Sequence, residues 1–155
     1  MNNSRRMFLK LTALGAGSAA LASLLPALSL AQEGSDSPFN FVQDLENPTE
    51  LEEEHLITIR LPVIAEDGSN VPVITYMENH PMEPDHYIRS IRIFGFTDPI
   101  VSKGQFLLSP ANGQAYISTQ VRMDGGDAML FVVGECTQHG LWAASATLKV
   151  SLGGC

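Results

Sequence analysis

Residues 71–77 read VPVITYM, a run of apolar and β-branched residues that is typical of a β-strand. The segments on either side, EDGSN (66–70) and ENHPMEPD (78–85), are rich in residues that accept a positive φ or preset a turn. The same pattern repeats along the chain, with short apolar or alternating runs between turn residues. Six further runs share it: HLITIRL (55–61), HYIRSIRIF (86–94), KGQFLLS (103–109), QAYISTQVRM (114–123), AMLFVVGE (128–135) and LWAASATLKVSL (141–152).

About seven short strands separated by turn signals predict an all-β fold, an immunoglobulin-like β-sandwich. In the run at 86–94, Ile88, Ile91 and Ile93 break strict alternation, which favours a bulge or a short helical turn. No helix longer than two turns and no internal repeat is predicted beyond the N-terminal 31 residues. The motifs GxGxxG, P-loop and GxSxG do not occur in the sequence, so no local signature points to a nucleotide site or a serine hydrolase.

The N-terminus matches a twin-arginine export signal. The pair Arg5-Arg6 precedes an uncharged stretch at 11–31, and Ser29-Leu30-Ala31 offers a small-x-small cleavage site. A membrane-spanning helix is the weaker interpretation, because two glycines and a proline interrupt the stretch. Residues 1–31 are therefore predicted to be a signal peptide, and the protein is predicted to be periplasmic.

The remaining residues, 32–155, form one predicted domain with an acidic lead-in at 32–54 and a sandwich at 55–155. Removing the signal takes three of the nine basic residues and none of the 17 acidic ones, so the remainder carries a formal net charge of −11. Such an acidic chain is a poor partner for nucleic acid or an anionic membrane.

The histidines and one of the two cysteines are candidates for a metal site. All four histidines are predicted at strand edges or in loops, and Cys136 lies three residues before one of them. Nitrogen and sulfur donors suit iron, copper and zinc better than calcium or magnesium. Taken alone, each histidine is more often simply solvated, and two cysteines in an exported protein more often form a disulfide than a metal site. The four histidines are His55, His80, His86 and His139.

These residues resemble the superoxide reductases, the catalytic domain shared by desulfoferrodoxin and neelaredoxin. The matching stretches are EEH (53–55), HPMEPDHYI (80–88) and CTQHGLW (136–142), in the order of the family. The resemblance implies a mononuclear non-haem iron that reduces superoxide to hydrogen peroxide and is re-reduced by an external electron donor. It implies that His55, His80, His86 and His139 bind iron in the equatorial plane, that Cys136 is the axial thiolate, and that Glu53 ligates the ferric form.

One position departs from that family. A lysine that draws in the superoxide anion is replaced by Glu54, which follows two further glutamates. Negative charge beside the site is expected to repel an anion unless Arg89, Arg92 or Lys103 offsets it. We therefore expect a slow reaction with superoxide that speeds up as salt screens the repulsion.

A second resemblance is to SoxY, the periplasmic carrier of thiosulfate oxidation. It rests on LPVIAEDGSNVPV (61–73), ISTQVRM (117–123) and the ending VSLGGC (150–155). The resemblance implies an immunoglobulin-like fold, a partner subunit of a sulfur-oxidation system, and Cys155 as the residue that binds sulfur intermediates covalently. The sequence given ends at Cys155, without the two glycines that follow the carrier cysteine in that family.

Three hypotheses follow from the sequence. A SoxY-related sandwich with a superoxide-reductase-type iron site is favoured, because five ligand-type residues agree with that motif. The alternatives are a sulfur carrier that uses Cys155 and a non-catalytic sandwich with a Cys136–Cys155 disulfide. The oligomeric state is left open, with a homo-oligomer among the alternatives.

Overall fold

A computed structural model describes residues 37–151, and it confirms the all-β sandwich. The described residues form nine strands, one short α-helix and two single 3₁₀ turns, Gly68–Asn70 and Pro110–Asn112. Their bounds are β1 Phe39–Asn40, α1 Glu50–Glu54, β2 Thr58–Arg60, β3 Ile64–Ala65, β4 Val71–Met77, β5 Ile88–Gly95, β6 Ser102–Leu107, β7 Ala115–Val121, β8 Gly126–Cys136 and β9 Gly140–Val150.

Two sheets enclose one hydrophobic core. The larger sheet has the strand order β1-β9-β8-β5-β6, with β3 also pairing to β9, and the smaller sheet has the order β2-β4-β7. The smaller sheet buries Val71 and Val73 completely, and the larger sheet buries Ile93 and Leu130. Each such side chain contributes about 1.5–3 kcal/mol relative to an exposed one, so burial of the alternating runs stabilises the sandwich.

All seven strands predicted from the sequence are present, and VPVITYM occupies β4 over its whole length. The two additional strands, β1 and β3, have two residues each, too few to show a period of two. Both pair in parallel with β9, β1 near its beginning and β3 near its end. The predicted irregularity in β5 is also present, as register shifts between Ile88 and Ser90 and between Ile93 and Phe94.

Local hydrogen bonds hold the described part of the acidic lead-in, residues 37–54. Thr49 caps α1, and Glu52 completes a capping box by accepting a hydrogen bond from the backbone nitrogen of Thr49 at 2.9 Å. The same carboxylate accepts from the backbone nitrogen of Gln43 at 2.8 Å. The predicted signal at 1–31 and the tail Gly153-Gly154-Cys155 lie outside the described residues. Within 37–151, no helix has the length and apolar character needed to cross a membrane.

The turn between β3 and β4 closely approaches the backbone of Met123, just after the neighbouring strand β7. A Cβ atom at Gly68 would lie 2.4 Å from the backbone oxygen of Met123. The backbone nitrogen of Met123 donates to the Gly68 oxygen at 2.7 Å, so the two backbones are held in contact. Only glycine allows this approach without displacement of a backbone segment.

Candidate metal centre

His55 lies at the end of α1, and it is 1% exposed. His55 was predicted at the start of the first strand, and this prediction was wrong, because β2 begins at Thr58. His55 is the C-cap of α1. The sequence did not indicate this setting, because the helix has only five residues. The helix end therefore directs the imidazole into the domain, where it contacts the other histidines.

Cys136 and His139 occupy the tight connection between β8 and β9. Cys136 ends β8, and Gly140 begins β9 with a φ of 75°, a left-handed conformation that favours glycine. The backbone nitrogens of Gln138 and His139 both donate to the Cys136 sulfur at 3.4 Å. Nδ1 of His139 lies 3.7 Å from the same sulfur, so the short turn brings the thiol and this imidazole together.

His80 and His86 come from the loop between β4 and β5. A pair of backbone hydrogen bonds between Glu83 and His86, at 3.0 and 3.1 Å, closes this loop. Nε2 of His80 lies 3.4 Å from the Cys136 sulfur, and the His80 and His86 rings have centroids 4.8 Å apart. Thr137 and Gln138 fix the loop to the β8–β9 turn through hydrogen bonds to the Asp85 oxygen.

Five side chains thus meet at one place, although they come from three separate segments of the chain. One potential ligand atom from each of His55, His86, Cys136 and His139 lies within 4.8 Å of the others, and His80 contacts the same sulfur. These are all five residues that the sequence analysis named as metal ligands.

Backbone carbonyls fix how two of the imidazoles present their nitrogens. Nδ1 of His55 lies 2.7 Å from the Leu51 oxygen, and Nδ1 of His80 lies 2.6 Å from the Pro81 oxygen. Because a carbonyl only accepts, each Nδ1 must carry the proton, which leaves a lone pair on Nε2. Metal-ligating histidines are oriented by hydrogen bonds of this kind.

Two buried nitrogens in the cluster have no hydrogen-bond partner. They are Nε2 of His55 and Nε2 of His86. Burial lowers the pKa of His80 to about 4 and also lowers the pKa of His55, so both rings are neutral near pH 7. Buried nitrogens without a partner, neighbouring neutral imidazoles and a thiol together fit a transition metal, since such a metal needs their lone pairs.

Two residues that support the cluster were not assigned a role from the sequence. The indole of Trp142 stacks on the imidazole of His55, with ring centroids 4.5 Å apart, and Nδ2 of Asn40 donates to the His139 oxygen at 3.3 Å. Trp142 lies in the CTQHGLW motif, which was a usable signal. The contact of Asn40 depends on the unpredicted pairing of β1 with β9.

The charged residues around the cluster are mainly acidic. Glu53 is exposed and accepts a hydrogen bond from Asn79 at 3.3 Å, and Glu54 is half-buried near His55 and His80, whose pKa values it raises slightly against burial. The basic residues considered as compensation are engaged elsewhere. Arg89 and Arg92 both pair with Glu135, and Lys103 pairs with Asp98 at 2.8 Å.

The family model described as "Sulfur oxidation protein SoxY" matches residues 42–155, which include every residue of the cluster. The chain belongs to the SoxY family. No curated protein sequence matches this SoxY-family chain.

Solved structures similar to this SoxY-family chain include superoxide reductases. The superoxide reductase (neelaredoxin) of Ignicoccus hospitalis is 24% identical, with a TM-score of 0.57, over 63% of this chain and 81% of that one. A variant of the superoxide reductase (neelaredoxin) of Archaeoglobus fulgidus, in the reduced form, is 18% identical, with a TM-score of 0.50, over 69% of this chain and 97% of that one. At these identities the likeness shows a shared fold, so both resemblances stated from the sequence are supported.

The structure describes one of the two cysteines. Cys136 is buried and is a free thiol within the described residues. Cys155, the predicted carrier cysteine, lies outside them, so the structure places one of the two candidate reactive groups.

Proposed function

We propose that this SoxY-family protein holds a mononuclear non-haem iron and reduces superoxide to hydrogen peroxide. The convergence of four histidines and one cysteine, with unpartnered nitrogens turned into the cluster, carries the proposal. His55, His80, His86, His139 and Cys136 would hold the metal. Iron held there would supply the one electron with which superoxide and two protons form hydrogen peroxide, and an external donor would return that electron.

The protein's own residues prepare the site before any metal arrives. The Leu51 and Pro81 oxygens hold the Nδ1 protons of His55 and His80, so neither ring must rotate or lose a proton to act as a ligand. Trp142 restricts the His55 ring from one face. This preorganisation reduces the conformational entropy that ligation would otherwise consume.

The Cys136 sulfur has an environment that suits negative charge. Two backbone N–H groups donate to it, from Gln138 and His139, and the residue is 3% exposed. Hydrogen bonds to a ligating sulfur tune the reduction potential of iron–thiolate sites. The β8–β9 turn therefore supplies both the sulfur and the donors that adjust it.

The role of Glu53 remains part of the proposal. Its exposed carboxylate is two residues from His55 and is oriented by Asn79. We assign it as the group that ligates the ferric form, in keeping with the EEH motif. Glu53→Gln is expected to alter the spectrum of the oxidised protein and to leave that of the reduced protein unchanged.

The test of the metal assignment is spectroscopic. The purified protein is expected to contain stoichiometric iron and to show a thiolate-to-ferric charge-transfer band after oxidation. Cys136→Ser should abolish the band, whereas Cys155→Ser, the matched control, should retain it. Protein that folds normally but takes up no iron when supplied with ferrous salt would refute the assignment.

A second function is supported by family membership. The SoxY match extends to residue 155, and the chain ends in Gly153-Gly154-Cys155. We propose as the alternative that Cys155 carries thiosulfate-derived sulfur in a sulfur-oxidation system with a partner subunit. Mass spectrometry after incubation with the oxidising partners and thiosulfate would then show an adduct that Cys155→Ser lacks. The disulfide-stabilised sandwich would instead require Cys136 to be bridged, and thiol titration of the unfolded protein tests this.

We also propose that residues 1–31 are a cleaved twin-arginine signal and that the mature protein, with its lead-in at 32–54 and sandwich at 55–155, is periplasmic. The pair Arg5-Arg6 and the cleavage site after Ala31 support this. Replacing both arginines by lysine should retain the precursor in the cytoplasm. N-terminal sequencing of exported protein should begin at Gln32.

A further inference from the structure

The charge of the protein is concentrated in the segments that carry the candidate ligands. Segments 37–59, 78–88 and 136–142 contain nine acidic residues and no lysine or arginine. The rest of the described chain has six acidic and six basic residues and is formally neutral. The nine acids are Asp44, Glu46, Glu50, Glu52, Glu53, Glu54, Glu78, Glu83 and Asp85.

These acids are not neutralised by ion pairs. The four ion pairs within residues 37–151 join Arg89 and Arg92 to Glu135, Lys103 to Asp98, and Lys149 to Asp127, all outside the three segments. The acidic segments therefore keep their full charge. At low ionic strength the field of such a cluster extends about 30 Å into solvent.

Five of these acids lie on elements next to the cluster of candidate ligands, and hydrogen bonds join those elements to one another. Asn79 links α1 to the β4–β5 loop through its hydrogen bond to Glu53, and Gln138 links that loop to the β8–β9 turn through the Asp85 oxygen. Glu50, Glu53, Glu78, Glu83 and Asp85 are all exposed on these elements. We call this set of five the acidic face.

The acidic face also has features of an interface between proteins. Leu45 and Leu51, in the same segment of chain, are 74% and 44% exposed. His86 and His139 are only half-buried, so the cluster reaches solvent on this side of the fold. Exposed apolar side chains in the same segment as unpaired acids are what a partner of opposite charge can cover.

We propose that the acidic face docks a one-electron carrier protein whose own docking surface is positively charged. This inference rests on the proposed function, which needs an external electron donor. In the step concerned, the reduced carrier would lose one electron and the ferric centre would gain it, and the Glu53 carboxylate proposed to ligate the ferric form would be released. The half-buried His86 and His139 are where the carrier would come nearest to the metal.

The charge pattern disfavours the opposite choice. An acidic carrier would meet the five uncompensated negative charges of the acidic face, and like-charge contact lowers both the association rate and the affinity. The same field raises both the association rate and the affinity of a basic carrier. This attraction must weaken as salt is added. The sign of the donor's surface is thus specified by the sequence of the ligand-bearing segments.

The test measures binding rather than turnover. A basic c-type cytochrome and an acidic flavodoxin are titrated into the full-length protein by calorimetry, at about 10 mM and about 100 mM salt. We expect the cytochrome to bind at low salt and to weaken at high salt, and the flavodoxin not to bind. The measurements are made on iron-free and iron-loaded protein.

Two variants of equal net charge locate the surface. Glu50→Gln with Glu83→Gln removes two charges from the acidic face, and Glu66→Gln with Asp127→Asn removes two near the far end of β9. The first should weaken cytochrome binding about threefold or more, and the second by much less. Equal weakening by both variants would overturn the proposal, as would equal binding of the flavodoxin. Failure to load iron would refute the proposed function instead, while leaving the comparison of the two variants intact.

Discussion

The indole of Trp142 and the imidazole of His55 form a stacked pair, with their planes 21° apart and both residues at most 5% exposed. Trp142 is the only tryptophan in the chain, so its fluorescence reports on this one contact. We expect binding of ferrous or cobaltous ion at His55 to quench that fluorescence. The quenching should titrate to one ion per chain and should be absent in Cys136→Ser/His55→Ala.

Removing the indole should cost both stability and affinity. Trp142→Ala leaves a cavity against His55, and such substitutions lower the free energy of unfolding by about 3 kcal/mol or more. Trp142→Phe keeps a ring over the imidazole and should retain most of the metal affinity. If both variants bind cobalt as tightly as the wild type, the stack has no positioning role. Chemical denaturation and cobalt absorption measure the two effects.

The buried state of His80 predicts how the metal-free protein responds to acid. Burial lowers the pKa of His80 from 6.5 to about 4, so between these pH values the unfolded chain binds a proton that the folded chain does not. The free energy of unfolding should therefore rise as pH increases from about 4 to about 6.5. His80→Gln should make this rise shallower. Urea denaturation at each pH tests it, and an identical slope in both proteins would contradict the assignment.

The acidic surroundings predict the salt dependence of the reaction with superoxide. Glu54 lies beside His55 and His80, and no described basic residue in the ligand-bearing segments compensates it. We expect a slow bimolecular rate that increases with ionic strength, since salt screens the repulsion. Glu54→Lys should speed the reaction, while Glu66→Lys, with the same change in net charge, should do so far less. A fast wild-type rate that falls with salt in stopped-flow measurements would show that the local field is positive.

The close backbone approach at Gly68 predicts that adding a single methyl group there lowers the free energy of unfolding. Gly68→Ala forces the new Cβ against the Met123 oxygen, which belongs to the backbone and cannot rotate away. We expect a loss of about 1–3 kcal/mol in the free energy of unfolding. Gly104→Ala is the matched control, because its Cβ would meet only the Phe106 ring, at 3.2 Å. Losses of equal size in the two variants would argue against the contact as the cause.

The sequence predicted the strands well because burial on one face leaves a visible pattern. The run at 71–77 alternates between fully buried and more exposed positions in β4, so its pattern and its structure coincide. The two-residue strands β1 and β3 leave no such pattern, since their pairing depends on where β9 lies in the folded domain. Long-range contacts of this kind cannot be read from local composition.

The candidate site was predicted as a set of residues but not as a structure. The motifs named all five residues that meet, because each motif places its histidine or cysteine at a turn. The motifs did not indicate which backbone oxygens bind the imidazoles of His55 and His80, because every residue carries a carbonyl. These oxygens belong to Leu51 and Pro81. The helical setting of His55 was also missed, because α1 has only five residues.

The candidate ligands are widely separated along the chain, from His55 to His139, and only the finished sandwich brings them together. An unfolded chain therefore offers a metal ion no more than isolated imidazoles or the Cys-x-x-His step. A metal bound by all five candidate ligands would have to be inserted after folding, and the cell compartment in which the protein folds would decide which metal it meets. A chain exported in the folded state, as the Arg5-Arg6 pair predicts, would bind a metal available in the cytoplasm and not one available in the periplasm.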